Sequence, residues 1–363
     1  MLGQRSLVNR ILDFVQDLLV LAAAHRSRSD NLEARGNKLS TGCASRRYAG
    51  AGFRETLLAV KSDASLALVQ LGRLLRAEGY SFIAVTPETH RRVVTAAEPQ
   101  ARSLRDVFGW NKPFKGNTVP ALAVDLLRAA DLLVQTEHGY RSGVRFASLG
   151  SHLFAHSPYP TQEADAVFFG PDTYRFCRAL QGGLCTTGTL VDIGCGSGAG
   201  GIIAAGSCQR VVLADLSEKA LSFARVNAAL ANVSNVEFVQ SDVLSNVSGP
   251  LGCVISNPPY LRDDAGRMYR DGGGSFGEAL AVRIVSESLA RLNASGSLML
   301  YTGATIVNGE DSFFSAVQPL LATAHARVRY EEIDPDVFGE ELESPAYRGV
   351  DRIAAVLLEA TMP

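Results

Sequence analysis

The chain has 363 residues, 47% hydrophobic and 20% charged, with a formal net charge of -2. That length predicts two domains and a sizeable core, and the charge balance gives no bulk attraction to nucleic acid or an anionic membrane. The six cysteines (Cys43, Cys177, Cys185, Cys195, Cys208 and Cys253) are scattered without a CxxC pair. They read as buried thiols of a cytoplasmic protein, with neither a disulfide framework nor a metal site.

The apolar stretch from Ile11 to Ala24 is broken by Asp13, Gln16 and Asp17. No run reaches the roughly 20 residues that span a bilayer, so no membrane partner is expected. Without a clean cleavage site, the stretch reads as an amphipathic helix or an overlong gene start rather than a signal peptide. Residues 25 to 52 are rich in Arg, Ser, Asn and Gly and read as a linker or disordered segment, making 1–54 a partly disordered extension. Arg26, Arg28, Arg35, Lys38, Arg46 and Arg47 form a basic tract within it.

Residues 55–160 read as a mainly helical substrate-recognition domain. Apolar residues recur at helical spacing from Glu55 to Glu78, and a second helical block runs from Pro120 to Thr136. The alternating runs Tyr140–Phe146 and Ser151–His156, around Leu149-Gly150, predict a hairpin, giving a winged-helix-like arrangement. Such a module binds nucleic acid, dimerises or shapes a substrate pocket; a packing and pocket-shaping role is expected here. His152 and His156 lie four apart on a strand pattern with no matching acidic ligand, so they are not read as a zinc site. Trp110-Asn111-Lys112-Pro113-Phe114 reads as a core anchor, with a recognition loop as the other reading.

From Thr189 onward, short apolar runs alternate with helices. Strands are expected at Thr189–Ile193, Arg210–Ala214, Val236–Gln240, Gly252–Ser256 and Ser297–Tyr301, with helices over Glu218–Leu230 and Glu278–Leu292. That alternation predicts an α/β domain over 161–363 with a parallel sheet covered on both faces. Two last runs, Ala326–Glu331 and Arg352–Glu359, lack a long helix between them and suggest an antiparallel pair at the sheet edge. The acidic stretch Glu331 to Glu343 reads as a solvated face, or as a dock for a basic partner.

The first strand of this domain ends in Asp192 and enters Gly194-Cys195-Gly196-Ser197-Gly198. Glycines allow a tight turn and close ligand approach, and the next helix offers free N–H groups. A dinucleotide-binding loop has the same chemistry. The second strand ends in Asp215-Leu216, where a carboxylate can accept both hydroxyls of a ribose, and the third in Asp242-Val243, where a carboxylate can accept from an adenine amino group beneath apolar cover. Each Asp alone is equally a helix cap; three at successive strand ends beside a glycine loop point to one ligand. The fourth strand ends in Asn257-Pro258-Pro259-Tyr260. Two prolines cannot continue a helix or a paired strand, so they form a stiff turn carrying an amide and a ring.

With these motifs, residues 161 to 363 resemble the class I S-adenosylmethionine-dependent methyltransferases, which implies a Rossmann-like seven-stranded sheet with a terminal antiparallel hairpin. The resemblance implies that Asp192 and Gly194 to Gly198 line the methionine part of S-adenosyl-L-methionine, with Asp215 and Leu216 at the ribose and Asp242 and Val243 at the adenine. Asn257-Pro258-Pro259-Tyr260 is similar to the acceptor motif of enzymes that methylate planar nitrogens. Phe169-Gly170-Pro171-Asp172-Thr173 and Arg270-Asp271-Gly272-Gly273 are similar to segments of release-factor glutamine methyltransferases, which adds Thr173 to the implied cofactor residues. The chain departs from that family in carrying Tyr174 where an acidic residue is usual, and in its N-terminal region. The Asp-Gly-Gly segment also suits a mobile lid.

The expected activity is therefore N-methylation of an amide or amino nitrogen, with a protein or peptide glutamine leading, then a ribosomal or transfer RNA base, then a small metabolite. A non-catalytic binding module would leave the acidic and glycine positions unexplained, and a nicotinamide dehydrogenase would leave Asn257 to Tyr260 unexplained. Oligomeric state has no signal in the sequence.

Overall fold

The computed structural model describes residues 63–161, 163–183 and 188–363. The extension over 1–54, with its apolar stretch and basic tract, lies outside the described residues, as do Cys43 and Cys185.

The N-terminal part holds α1 (Asp63–Ala77), α2 (Pro87–Ala96), α3 (Leu104–Phe108) and α4 (Ala121–Ala129). Two hairpins follow, β1 (Leu133–Thr136) with β2 (Gly139–Ser142) and β3 (Arg145–Leu149) with β4 (His152–His156). This corrects the single expected hairpin and the helix over Pro120–Thr136. Asp131 takes a left-handed φ of 58° after the helix, and Leu133–Thr136 turns back as a strand. Gly143 fits closely against Leu132 between the hairpins, so Tyr140 and Phe146 belong to different ones.

The second part runs α5 (Pro171–Gly183), β5 (Thr189–Ile193), α6 (Ala199–Ala204), β6 (Arg210–Asp215), α7 (Glu218–Ala231), β7 (Val236–Gln240), β8 (Leu251–Ser256), α8 (Ala279–Leu289) and β9 (Leu292–Val307). It closes with β10 (Glu310–Asp311), α9 (Ser312–Thr323), β11 (Arg327–Asp334) and β12 (Arg352–Thr361). The strand order β11-β12-β9-β8-β5-β6-β7 is parallel from β9 to β7 and antiparallel at β12 and β11, as a Rossmann-like sheet with a terminal hairpin requires.

Central strands here are apolar on both faces, as expected where helices cover a parallel sheet on two sides. Val191, Val212, Val254 and Leu298 pack beneath α8 and α9; Leu190, Val211, Leu213 and Ile255 pack beneath α5, α6 and α7. Full burial of each such side chain contributes about 1.5–3 kcal/mol before entropy costs. Strand β9 is much longer than the expected Ser297–Tyr301, because β12 pairs with it continuously from Arg352–Ile306 to Thr361–Ser297. Its Gly303 is tolerated because the Tyr260 ring occupies the place of a side chain; an added Cβ would lie 2.2 Å from Tyr260 Cδ2.

The described residues all fall in one compact unit, so the junction near residue 160 lies inside it. Phe82, Ala84, Ala147 and Phe154 enter the same core as α5 and α7. Tyr174, the residue that departs from the expected acidic one, accepts a hydrogen bond from the Ala84 amide at 2.9 Å and so ties α5 to the N-terminal part. Trp110 meets Phe82 edge-on at 5.0 Å, Phe114 is fully buried, and Asn111 bridges the Ser142 carbonyl and the Tyr159 amide, which makes that pentapeptide a core anchor.

Candidate active site

The parallel register sets the ends of β8, β5, β6 and β7 side by side: Ile193 lies level with Ser256 on one side and Ala214 on the other, and Asp215 level with Gln240. Neighbouring strands sit about 4.8 Å apart, so the loops after them form one rim. The chain leaves β5 toward β6 and β7 and returns to the other side of β5 as β8, which opens the crevice where open α/β sheets bind ligands. A cavity of about 660 Å³ lies there.

Its walls include Thr173, Asp192, Gly194, Cys195, Gly196, Ser197, Asp215, Leu216, Asp242, Val243 and all of Asn257 to Tyr260. Gly198 is the exception among the expected residues. It caps α6 with φ 78° and packs against Ile202 and Ala224, so it shapes the turn without facing the cavity. Gly194 and Gly196 also have left-handed backbone, φ 65° and 54°, and a Cβ built on either meets open space. Glycine is needed there for conformation, and the free space above is room for a ligand.

Asp192 is buried and its Oδ2 accepts from the Gly201 amide at 2.8 Å. Burial, with a smaller contribution from Asp215, raises its pKa to about 7, against the pull of that N–H. Asp215 holds the glycine loop as well as facing the cavity: Oδ2 accepts from Gly196 N and Oδ1 from Ser217 N, both at 2.9 Å. Burial raises its pKa too, opposed by these amides. Burial pushes the Cys195 thiol well up, which leaves it unreactive.

Leu216 is 54% exposed at the cavity's edge, an apolar surface without cover from the protein. Val243 adopts φ 50°, a strained conformation for a β-branched residue; the Ser241 hydroxyl donates to its carbonyl at 2.9 Å. Asp242 is engaged by both terminal nitrogens of Arg283, at 2.8 and 3.0 Å. Such an exposed pair contributes at most about 1 kcal/mol, so a ligand can compete for the carboxylate at little cost.

The turn over Asn257 to Tyr260 is held from two sides. Gly272 sits so close that an added Cβ would lie 2.6 Å from the Pro259 carbonyl and 1.9 Å from that of Gly277. The Gly272 amide donates to Leu261 O at 2.8 Å, and Asp271 Oδ1 accepts from Asp263 N and Gly273 N. The Asp-Gly-Gly segment thus braces the turn. On the other side, the Tyr260 hydroxyl donates to Asp172 at 2.8 Å. No residue among those described hydrogen-bonds the Asn257 side chain or the Pro258 carbonyl, although the adjacent Ser256 hydroxyl is satisfied by Ile193 O at 2.8 Å.

Sequence reasoning missed several supports. Asn227 in α7 is fully buried and clamps Ala155 of β4 to Ser197 of the glycine loop. Phe168 stacks on Tyr269 at 5.9 Å, and both line the cavity. Phe338 lines it too and borders a second cavity of about 670 Å³, whose rim carries Asp336, Glu340 and Glu343. The acidic stretch is largely paired within the chain, Asp334 with Arg175, Glu332 with Arg352 and Glu341 with Arg270. His156 is buried and stacked on Phe169 at 5.5 Å, so it belongs to the core. Among the described residues no helix is long and apolar enough to cross a membrane.

Residues 176–308 match the family model described as Methyltransferase small domain. A release factor glutamine methyltransferase of Deinococcus radiodurans is 38% identical over 124 residues, 31% of this chain and 44% of that protein. The chain therefore spans less than half the length of that relative. A putative protein N5-glutamine methyltransferase of Methanocaldococcus jannaschii is 28% identical over 155 residues, 40% of this chain and 77% of that protein. A solved tRNA m1G37 methyltransferase of M. jannaschii superposes with a TM-score of 0.42 at 14% identity, covering 61% of this chain and 57% of that one.

Proposed function

We propose that this protein is an S-adenosylmethionine-dependent N-methyltransferase whose acceptor is a planar amide nitrogen, the side chain of a glutamine in a protein or peptide. The observation that carries this reading is the pair of unengaged acceptors, Asn257 Oδ1 and the Pro258 carbonyl, on a braced turn beside the glycine loop. When bound, S-adenosylmethionine supplies an electrophilic methyl group on a sulfonium.

The residues present fit that cofactor. Gly194 and Gly196 leave a cradle that side chains would fill, and Asp192 gives a buried carboxylate for the positive methionine end. Asp215 keeps free lone pairs for ribose hydroxyls, Leu216 and Val243 give apolar cover, and Asp242 can accept from the adenine amino group. Thr173 lies in the same wall. The acceptor nitrogen has its lone pair delocalised into the amide and is a weak nucleophile. Two acceptors that receive its N–H groups fix its plane and direction, and they gain strength as positive charge develops on the nitrogen. Catalysis is then positioning and electrostatics. The released proton needs no dedicated strong base.

The rim of the second cavity carries Glu88, Asp336, Glu340 and Glu343 against Arg92 and Arg175, and that net acidic balance supports a protein over an RNA acceptor, since carboxylates repel phosphates. In this reading residues 55–160 are the recognition part and 161–363 the catalytic part, with Pro87 and Tyr159 contributing to the cavity wall. The test is transfer of labelled methyl from S-adenosylmethionine to a cell extract, followed by digestion. Label that survives nuclease and yields N5-methylglutamine is the expected result. Label released as a methylated base would select the RNA alternative, and absence of cofactor binding in calorimetry would overturn the enzyme reading.

A further inference from the structure

Asp172 stands in the first turn of α5, directly after Pro171. Proline suits that position because its missing N–H has no helical partner there, and a carboxylate is favoured by the unpaired amides of the first turn. Asp172 is only 6% exposed, and a buried carboxylate persists only with strong donors. The Tyr260 hydroxyl donates to Oδ2 at 2.8 Å, and the Tyr301 hydroxyl and Arg175 Nη1 donate to Oδ1 at 2.7 and 3.2 Å. Arg175 is itself fixed by Asp334 at 2.8 Å. These bonds join α5, the acceptor turn, β9 and β11 at one carboxylate.

Tyr260 is held at its other surfaces too. Its ring lies over Gly303 with no room for a Cβ, and Phe338 meets it edge-on at 6.0 Å. Between Tyr260 and Asn257 stand two prolines, whose fixed φ leaves the turn little freedom. The direction of the Tyr260 side chain therefore sets where Asn257 and Pro258 point.

We propose that Asp172 is a positioning residue for methyl transfer: by anchoring the Tyr260 hydroxyl it holds Asn257 Oδ1 and the Pro258 carbonyl in the geometry that receives the acceptor amide. The inference rests on the functional reading above. It assigns Asp172 no contact with the reacting atoms. Its effect falls on turnover and on the mobility of the turn, where a purely structural role would fall on stability alone.

The experiment compares Asp172→Ala, Tyr260→Phe, their double variant and Tyr301→Phe in the full chain. Affinity for S-adenosylhomocysteine is measured by calorimetry, transfer to the extract by single turnover, and hydrogen exchange on the peptide containing residues 257–264. Asp172→Ala and Tyr260→Phe are expected to lower turnover by about 100-fold, with cofactor affinity within about threefold. The double variant should lose no more than the worse single one, because both changes break the same link. Exchange in the 257–264 peptide should quicken in both, and Tyr301→Phe should cost less than tenfold in turnover. Unchanged turnover and exchange in folded Asp172→Ala and Tyr260→Phe, or additive losses in the double variant, would overturn the proposal. If the unmodified protein transfers no label, the functional reading fails by itself; the exchange arm then decides whether Asp172 holds the turn. Should Asp172→Ala not fold, Tyr260→Phe cuts the same bond and decides.

Discussion

Asn227 donates to the Ser197 carbonyl at 2.9 Å from the same amide nitrogen that donates to the Ala155 carbonyl at 3.0 Å. Its oxygen accepts from the Ala155 amide at 2.7 Å. One buried side chain thus fastens the glycine loop to the last strand of the N-terminal part. Asn227→Ala would leave three backbone groups in the core without partners. Unmet buried groups cost about 1–3 kcal/mol each and are not additive, so a loss of about 2–4 kcal/mol is expected in urea unfolding, with weaker cofactor binding.

Asn257 lies in no such network among the described residues, which separates its role from that of Asn227. Asn257→Ala should leave stability and S-adenosylmethionine affinity nearly unchanged while transfer falls by about 100- to 1,000-fold, the usual loss on removing one preorganised polar partner. Calorimetry alongside single-turnover labelling reads the two effects separately. Transfer at the unmodified rate would remove Asn257 from the acceptor site.

Asp192 makes the protein sensitive to pH near neutrality. Burial holds its folded pKa near 7, above the ordinary 3.8. The folded state therefore keeps a proton that the unfolded chain has released, and stability falls as pH rises from about 4 to 7 and then levels. Asp215, also raised by burial, adds in the same direction. In the proposed function cofactor binding runs the opposite way, because the ionised carboxylate would attract the positive methionine end. Affinity for S-adenosylmethionine is expected to rise by about tenfold from pH 6 to pH 8, and Asp192→Asn should flatten both profiles.

Gly303 predicts a selective defect. Alanine there would place a methyl 2.2 Å from the Tyr260 ring in the centre of β9. Overpacking of this kind costs about 1–3 kcal/mol, and relief requires the ring to move with the acceptor turn. Gly303→Ala should unfold at lower urea concentration and lose transfer more than cofactor affinity. A variant with normal transfer would show that the ring can shift without moving Asn257.

Local pattern was sufficient where the chemistry is local. Strands Thr189–Ile193 and Val236–Gln240 were legible from their apolar runs to the residue, and the glycine loop, the three strand-end carboxylates and the double-proline turn each carry their backbone geometry in their own composition. The helix over Pro120–Thr136 failed because a left-handed Asp131 and a distant pairing partner, rather than helical spacing, decide what Leu133–Thr136 becomes. The end of β9 was misplaced for the same reason, since β12 carries the strand past a glycine that ends it on propensity.

The sequence by itself therefore determined that a Rossmann-like sheet would carry a glycine loop and a double-proline turn at its strand ends, because strand-and-turn patterning and glycine and proline conformations are properties of neighbouring residues. Only the tertiary structure decided what holds these parts in place. Asp172 meets Tyr260 across 88 positions, and Asn227 meets Ala155 across 72. Such partners are chosen by packing in three dimensions, where a buried polar group takes the donor or acceptor within reach, and no spacing along the chain encodes that distance.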